Sequence, residues 1–257
     1  MNSRILPFAA ATLLFAAAFA TAQIKKPTAP AVKVPFSKSL QAVVVTTGGW
    51  NAVSGTGRLF ERKDAASKWT QVGESFPVVV GRNGLGWDDD TTLGKPAAFQ
   101  KREGDGRAPA GLMPLTAAFG RPEKAEAVEL PYTRLAEFTE CVDDTASHHY
   151  NKIVDRMQVG VFDWKSSEKM LAVGDQYDLG VFVGYNTYPV KPGNGSCIFL
   201  HVWKDASTGT SGCTAMEHRN IERIVGWLQP DKNPYLVQMP ADIYAKNRKL
   251  WNLPKFN

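Results

Sequence analysis

A cysteine beside a flexible glycine, with a histidine twelve positions upstream, is the combination in this chain best suited to nucleophilic chemistry. His201 lies in the run CIFLHVW and Cys213 in the run TSGCTAME. Thr214 and Glu217 have the spacing of a capping box, with Thr214 as N-cap and Glu217 at the third helical position. Ile221, Ile224, Val225 and Leu228 then recur at helical spacing, which predicts an amphipathic helix beginning directly after Cys213. A helix start carries partial positive charge and unpaired amides, which favour a thiolate and can hold an oxyanion. A nearby imidazole would lower the thiol pKa further and accept its proton. Gly212 would let the backbone approach a substrate carbonyl with no side chain in the way.

The elements that must position these groups are strands. YDLGVFVGYN alternates, with Leu179, Val181, Val183 and Tyr185 on one face and Gly180 and Gly184 on the other. CIFLHVW puts Ile198, Leu200 and Val202 on one face and Phe199, His201 and Trp203 on the opposite one. The two runs are expected to pair as a hairpin with a long connection, which places His201 within an apolar strand. A histidine there is, taken alone, more often a core residue with a satisfied hydrogen bond than a catalytic one. Cys213 likewise has two bland readings: a small buried residue, or one end of a disulfide to Cys141 or Cys197. Three cysteines leave at least one without an intramolecular partner.

Further upstream, LQAVVVTT, GRLFER, WTQVG and FPVVVGRNG read as antiparallel strands across residues 40–90, separated by Gly, Asn and Asp. The run Asp88-Asp89-Asp90 lacks the spaced ligands of a calcium loop and reads as a solvated turn. Residues 101–111, KREGDGRAPAG, lack the Gly-Lys-Ser/Thr ending of a phosphate loop and read as a tight charged loop leading into LMPL. His148 and His149 are adjacent, so on a strand they would point to opposite faces; no metal site is expected, and no cofactor. The tail DIYAKNRKLWNLPKFN is expected to hold a short helix.

Residues 1–22 have the build of a secretory signal peptide: Arg4, an apolar run from Ile5 to Phe19, then the small-residue stretch Ala20-Thr21-Ala22. An uncleaved N-terminal anchor is the alternative; no membrane span is expected after processing. Residues 23–36, with three prolines and three lysines, read as a linker, and residues 37–257 as a single catalytic domain. The composition, 44% hydrophobic and 21% charged with 22 Gly and 16 Pro, excludes disordered, collagen-like and coiled-coil chains. A formal charge of +5, without basic clusters interleaved with aromatics, excludes nucleic acid as a partner.

FLH followed by TSGCT resembles the signature of the L,D-transpeptidase family, whose catalytic domain is of the YkuD type: a histidine, a loop, a Ser or Thr, then Gly-Cys. GDGRAPAG is similar to the family's other recurrent stretch, and the resemblance spans residues 98–240. It implies a mainly β fold with a few helices (α+β), a β-sandwich or mixed sheet with a helix after the nucleophile. It further implies Cys213 as nucleophile, His201 as general base, and Gly212 with Cys213 as oxyanion donors. Val202, following the histidine, would act through its carbonyl, and Ser211 stands where relatives often carry His. Ala215 replaces the Arg commonly found two residues after the cysteine, a position that bears on recognition of a substrate carboxylate. The histidine–cysteine interval is shorter than is usual. Cys141 and Cys197 would then be available for a structural disulfide, a pairing the sequence leaves open. The implied activity is acyl transfer on peptidoglycan stem peptides in the periplasm or cell wall, through a thioester resolved by an amine from a stem, a protein or a free D-amino acid. Hydrolysis of that thioester would instead give a carboxypeptidase or endopeptidase. A non-catalytic wall-binding module, with Cys213 in a disulfide, is the reading from a different class.

Overall fold

The computed structural model describes residues 36–88, 99–124 and 127–256. The signal peptide and nearly all of the linker expected over residues 1–36 lie outside them, as do Asp89 and Asp90.

Strands dominate because the chain is rich in short β-branched and aromatic runs broken by Gly and Pro. Three open the fold: β1 (Gln41–Thr47), β2 (Ser54–Glu61) and β3 (Thr70–Val79). They pair antiparallel in that order, as expected for this region. WTQVG and FPVVV, expected as two strands, merge into the single β3. A short β4 (Leu85–Trp87) precedes the long β5 (Ala108–Gly120), and β6 (Tyr132–Arg134) runs beside its far end. Next come β7 (Thr139–Val142), β8 (Ile153–Asp155) and β9 (Ser167–Lys169), which form a separate three-stranded sheet with β7 at its centre. A 3-10 segment, Met170–Tyr177, leads into β10 (Leu179–Val183), followed by β11 (Phe199–Val202) and β12 (Thr214–Met216). Helix α1 (His218–Trp227), β13 (Tyr235–Pro240) and helix α2 (Ala241–Asn247) complete the order.

The main sheet runs β10-β11-β12-β3-β2-β1-β13-β5, and β5 pairs β10 as well, so the ring of strands closes on itself. Closure removes free edges, and β5 is long enough to serve two neighbours: its first half pairs β13, its second half β10. The sheet is mixed, since β1–β13 and β11–β12 are parallel. The fold class is therefore mainly β with a few helices. Every residue of β1 is buried, consistent with a continuous apolar run between two neighbours rather than a half-exposed strand. The one amide among them, Gln41, donates to the Trp227 carbonyl at 2.8 Å and accepts from the Gln229 amide at 2.8 Å, which ties the end of α1 to the sheet. Helix α1 buries Ile221, Ile224 and Val225 and packs on β10 and β11. The tail folds back as expected for part of its length: Tyr244 of α2 stacks on Phe256 at 4.7 Å and donates to the Pro254 carbonyl.

Three local readings change. Asp88 is buried, its amide donating to the Ala110 carbonyl at 2.8 Å, so that residue is no part of a solvated turn. His148 and His149 sit in a turn rather than on a strand: His148 Nδ1 faces Asp163 at 2.8 Å and His149 packs edge-on to Trp164. Third, the capping box does not form. Thr214–Met216 is strand, and α1 begins only at His218, with Glu217 at its N-cap position and no side-chain cap bond. Sheet pairing wins because the Thr214–Met216 backbone bonds to β11 on one side and β3 on the other, and the Thr214 hydroxyl donates to buried Gln238 at 2.7 Å.

The small sheet is fastened to the large one by a disulfide between Cys141 in β7 and Cys197, two residues before β11, with a Cα–Cα distance of 5.9 Å. Cys213 is the free cysteine. Protein unfolded without reductant should therefore yield a single alkylatable thiol, mapping to Cys213 by peptide mass spectrometry. A Cys141→Ala/Cys197→Ala variant should lose about 2–4 kcal/mol of unfolding free energy in a denaturant titration, because the bridge closes a long loop.

Candidate active site

β11 lies between β10 and β12, and its register sets the site. His201 pairs with Gly180 on one side and Ala215 on the other, so its imidazole rises between two small neighbours. Gly180 has a packing reason to be glycine: a Cβ there would fall 2.4 Å from the Phe119 ring and 2.8 Å from the Leu200 carbonyl oxygen. Phe119, Phe199, Tyr177 and His201 make a run of edge-on aromatic contacts, with Tyr177 5.3 Å from the His201 ring centre.

The imidazole is 5% exposed. Nδ1 lies 2.8 Å from the Val202 carbonyl oxygen. A carbonyl can only accept, so this contact favours the tautomer with its hydrogen on Nδ1. Burial lowers the His201 pKa to about 4, against the opposing pull of the Val202 and Gln176 carbonyls. The ring is neutral at ordinary pH.

Cys213 precedes β12 at the end of a loop pinned by its own side chains. The Asp205 carboxylate accepts four bonds from Ser207 and Thr208, which holds its own pKa far below the usual carboxylate range. Thr210 exchanges backbone bonds with Val80 and Arg82, at 2.9 and 2.8 Å, which anchors the loop to the end of β3. Its hydroxyl donates to the Cys213 carbonyl at 2.7 Å and accepts from the Gly212 amide at 3.1 Å. Arg82 reaches Ser211 Oγ at 3.2 Å. Gly81 allows this assembly to sit against the GDGR loop, since a Cβ would meet the Gly106 carbonyl oxygen at 2.4 Å.

The Cys213 sulfur is 7% exposed, accepts from the Phe199 amide at 3.3 Å and lies 3.4 Å from the Cys197 carbonyl oxygen. Burial pushes the thiol pKa well above its ordinary value, and the Glu168 charge adds to this. The Phe199 amide, Lys101 and the Tyr177 hydroxyl pull the other way without prevailing. With a strand rather than a helix following it, Cys213 has no helix dipole to help. The resting group is a thiol, not the thiolate expected from the sequence.

Cys213 and His201 open into one cavity of about 520 Å³. Gly212 and Ser211 line it too, whereas Val202 touches the site through its carbonyl behind His201. Its other walls hold charge: Arg82 and Lys101 against Glu103, Asp143 and Glu168. The GDGR loop supplies part of this. Asp105 accepts from the Lys101 ammonium at 2.8 Å, the Arg102 amide at 2.7 Å and the Arg107 amide at 2.9 Å, with Gly104 and Gly106 on either side at positive φ. That turn holds buried Lys101 and Glu103 at the cavity, and Glu103 accepts from Tyr150 at 2.5 Å and Ser196 at 2.7 Å. Among the described residues no group of three metal-ligating side chains converges.

Tyr177 and Glu168 are among the cavity residues that pattern reading misses. Tyr177 donates to Glu168 Oε2 at 2.5 Å and also interacts with the Cys213 thiol. Nothing in the linear sequence marks Glu168, which sits in a three-residue strand of the smaller sheet. Tyr177 stands at the head of the alternating YDLGVFVGYN segment, the one available signal, and belongs to the turn before that strand.

The family model of the L,D-transpeptidase catalytic domain, YkuD, matches residues 58–239, from within β2 to near the end of β13. Both motif stretches, GDGRAPAG and TSGCT, fall inside the match. No curated protein matches the chain. Among solved structures it is similar to the helical cell shape determining protein Pgp2 from Campylobacter jejuni, at 14% identity and a TM-score of 0.41. That similarity covers 79% of this chain but 48% of the other, so the chain spans about half the length of that protein. Among the described residues no helix is long and apolar enough to cross a membrane. With most of its length under the family model, this chain belongs to the L,D-transpeptidase (YkuD) catalytic-domain family, whose members are cysteine-based peptidoglycan enzymes.

Proposed function

We propose that this protein is an exported L,D-transpeptidase that acts on peptidoglycan stem peptides through a thioester on Cys213. Residues 1–22 would direct export, 23–36 would serve as a linker, and 37–257 would form the catalytic domain, working in the periplasm or cell wall. The observation that carries the reading is the opening of His201, in β11, and Cys213, just before its parallel neighbour β12, into one polar cavity of a family member.

A buried thiol and a buried neutral imidazole fit a proton transfer timed with attack rather than a standing ion pair. The sulfur attacks the carbonyl of an L-centre while its proton passes to His201 Nε2. The Val202 carbonyl holds the ring in the needed tautomer and stabilises the imidazolium that forms. The negative oxygen of the tetrahedral intermediate takes the amides of Gly212 and Cys213; the Gly212 amide must leave Thr210 Oγ1 to serve. Collapse expels the terminal D-amino acid, whose nitrogen receives the proton from His201. An acceptor amine then attacks the thioester, gives a proton to His201, and the thiol is restored. Cationic and anionic walls suit a peptide bearing both carboxylate and amine groups, with Arg82 beside Ser211 placed where a carboxylate near the nucleophile would meet it.

Purified protein incubated with tetrapeptide-bearing muropeptides should give cross-linked or amine-exchanged products by mass spectrometry. Cys213→Ala should abolish them, and His201→Ala should lower the rate by about 10²–10⁴-fold. Shortened stems without any exchanged product would replace transfer by hydrolysis; unchanged turnover in Cys213→Ala would remove the assignment altogether.

The pH dependence follows from His201, which must be unprotonated to act as base. With its pKa lowered to about 4, kcat/KM should hold as pH falls through 6.5 and drop only near 4. The same shift affects stability. The unfolded chain takes up this proton first, so the stability from a neutral buried ring is complete above about 6.5 and is lost as pH falls towards 4. An acid limb of kcat/KM at the ordinary histidine value would contradict the buried-base description.

A further inference from the structure

We propose that Glu168 and Tyr177 form a positioning pair that gates the reactivity of Cys213: the protonated carboxyl frees the phenol to donate to the sulfur, and the ionised carboxylate withdraws it. This rests on the reading of Cys213 as nucleophile but concerns its thiol chemistry, which can be followed without any peptidoglycan substrate.

Tyr177 is buried, its ring fixed by edge contacts to Phe119, Phe199 and His201, so the hydroxyl has little freedom except rotation about the C–O bond. Two partners lie within its reach, Glu168 Oε2 at 2.5 Å and the Cys213 thiol. One O–H can serve only one of them at a time. With Glu168 protonated, its own O–H donates to Tyr177 Oη, and the phenol O–H turns to the sulfur, where it stabilises the negative charge developing during attack. With Glu168 ionised, the phenol O–H is drawn to the carboxylate, and the sulfur loses a donor while facing a negative charge. No proton leaves Tyr177 in either state; the proton gained or lost is that of Glu168, exchanged with solvent through the cavity both line.

The groups facing Glu168 favour a switch near neutrality. Burial raises its carboxyl to about 7, and the charges of Asp143 and Glu103 add to this against the Tyr177 hydrogen bond. Lys101, from the GDGR loop, acts on Cys213 in the opposite sense, and His201 stays neutral over this range. Neighbouring Glu140 behaves differently on the other face of the small sheet: burial opposes its charge, but Lys169, Ser167 and Trp164 overcome this and hold it below the usual range. Alternation along β9 sends Ser167 and Lys169 to Glu140 and leaves Glu168 on the cavity side.

The test is the rate of iodoacetamide alkylation of Cys213 in the folded, disulfide-intact protein between pH 5.5 and 8.5, followed by intact mass. An isolated thiol below its pKa gains about tenfold per pH unit. Wild type should follow that slope below pH 6.5 and flatten across pH 6.5–8, as ionisation of Glu168 raises the thiol pKa. Glu168→Gln should keep the steep slope throughout and be about tenfold faster than wild type at pH 8. Tyr177→Phe should be slower than wild type at pH 6 by about tenfold, with folding checked by circular dichroism. A wild-type profile that rises tenfold per unit through neutrality would overturn the proposal without recourse to any variant, as would equal slopes in wild type and Glu168→Gln. Loss of muropeptide turnover with the flattened alkylation profile intact would instead count against the transpeptidase reading alone.

Discussion

The parallel pairing of β11 with β12 is the constraint on which the site depends. It sets His201 opposite Ala215 and brings the Phe199 amide to the Cys213 sulfur, so the imidazole and the thiol, level with positions two residues apart along β11, open into the same cavity. A one-residue slip would turn the imidazole to the opposite face of the sheet, where α1 packs, and bring Leu200 into its place. The surroundings resist such a slip. Gly180 packs close to the Leu200 carbonyl of β11, and Thr210 locks the loop before β12 to Val80 and Arg82 by two backbone bonds. Parallel neighbours need a crossover connection, and here residues 203–213 supply it as a loop organised by Asp205 and Thr210 rather than by a helix.

Placing the free cysteine before a strand changes its electrostatics. A helix start would stabilise a thiolate through its dipole and free amides. In a strand those amides are spent on sheet pairing, and the sulfur has the Phe199 amide instead, in an enclosure that penalises charge. Burial moves the two reacting groups in opposite directions: it raises the thiol and lowers the imidazole. Both shifts favour the uncharged pair. Under the proposed function, such a thiol would stay weakly reactive until a substrate carbonyl supplied somewhere for the charge to go. On the proposed mechanism charge would be created on the substrate oxygen and on the imidazole, the latter beside the Val202 carbonyl, while the Gly212 amide would first have to leave Thr210 Oγ1.

Much of this was legible in the residues. Alternation over 179–185 and 197–203 gives the hairpin β10–β11 and the facing of His201 with Phe199, because period-2 patterning survives wherever one face is buried. The amphipathic stripe of α1 is equally plain. The start of that helix is misread because Thr-x-x-Glu carries no information about sheet partners; Thr214 found Gln238, 24 residues away, as a better partner than its own helix amides. Asp88 is similar, since an acidic run looks solvated unless the strand that covers it is known. Glu168 and Asp143 could not be found this way. They come from the small sheet and reach the cavity through contacts distant in sequence, which leave no period or spacing to read.

The disulfide also belongs to this electrostatic picture. Cys141 is the cross-strand partner of Glu168 in the small sheet, and adjacent strands direct paired residues to the same face. Fastening Cys141 to Cys197 therefore carries Glu168 towards the cavity as well as closing a chain loop. Cys197 meanwhile offers its carbonyl to the Cys213 sulfur, so one cysteine of the bridge contacts the free thiol and the other pairs with Glu168. Besides the bridge, the three-stranded sheet is held to the ring by the 3-10 segment Met170–Tyr177 and by Asn151, whose side chain bonds the Tyr185 and Asn186 carbonyls and the Cys197 amide. The covalent bond that closes this loop thus lies beside the cavity on both sides, through the Cys197 carbonyl at the Cys213 sulfur and through Glu168 opposite Cys141.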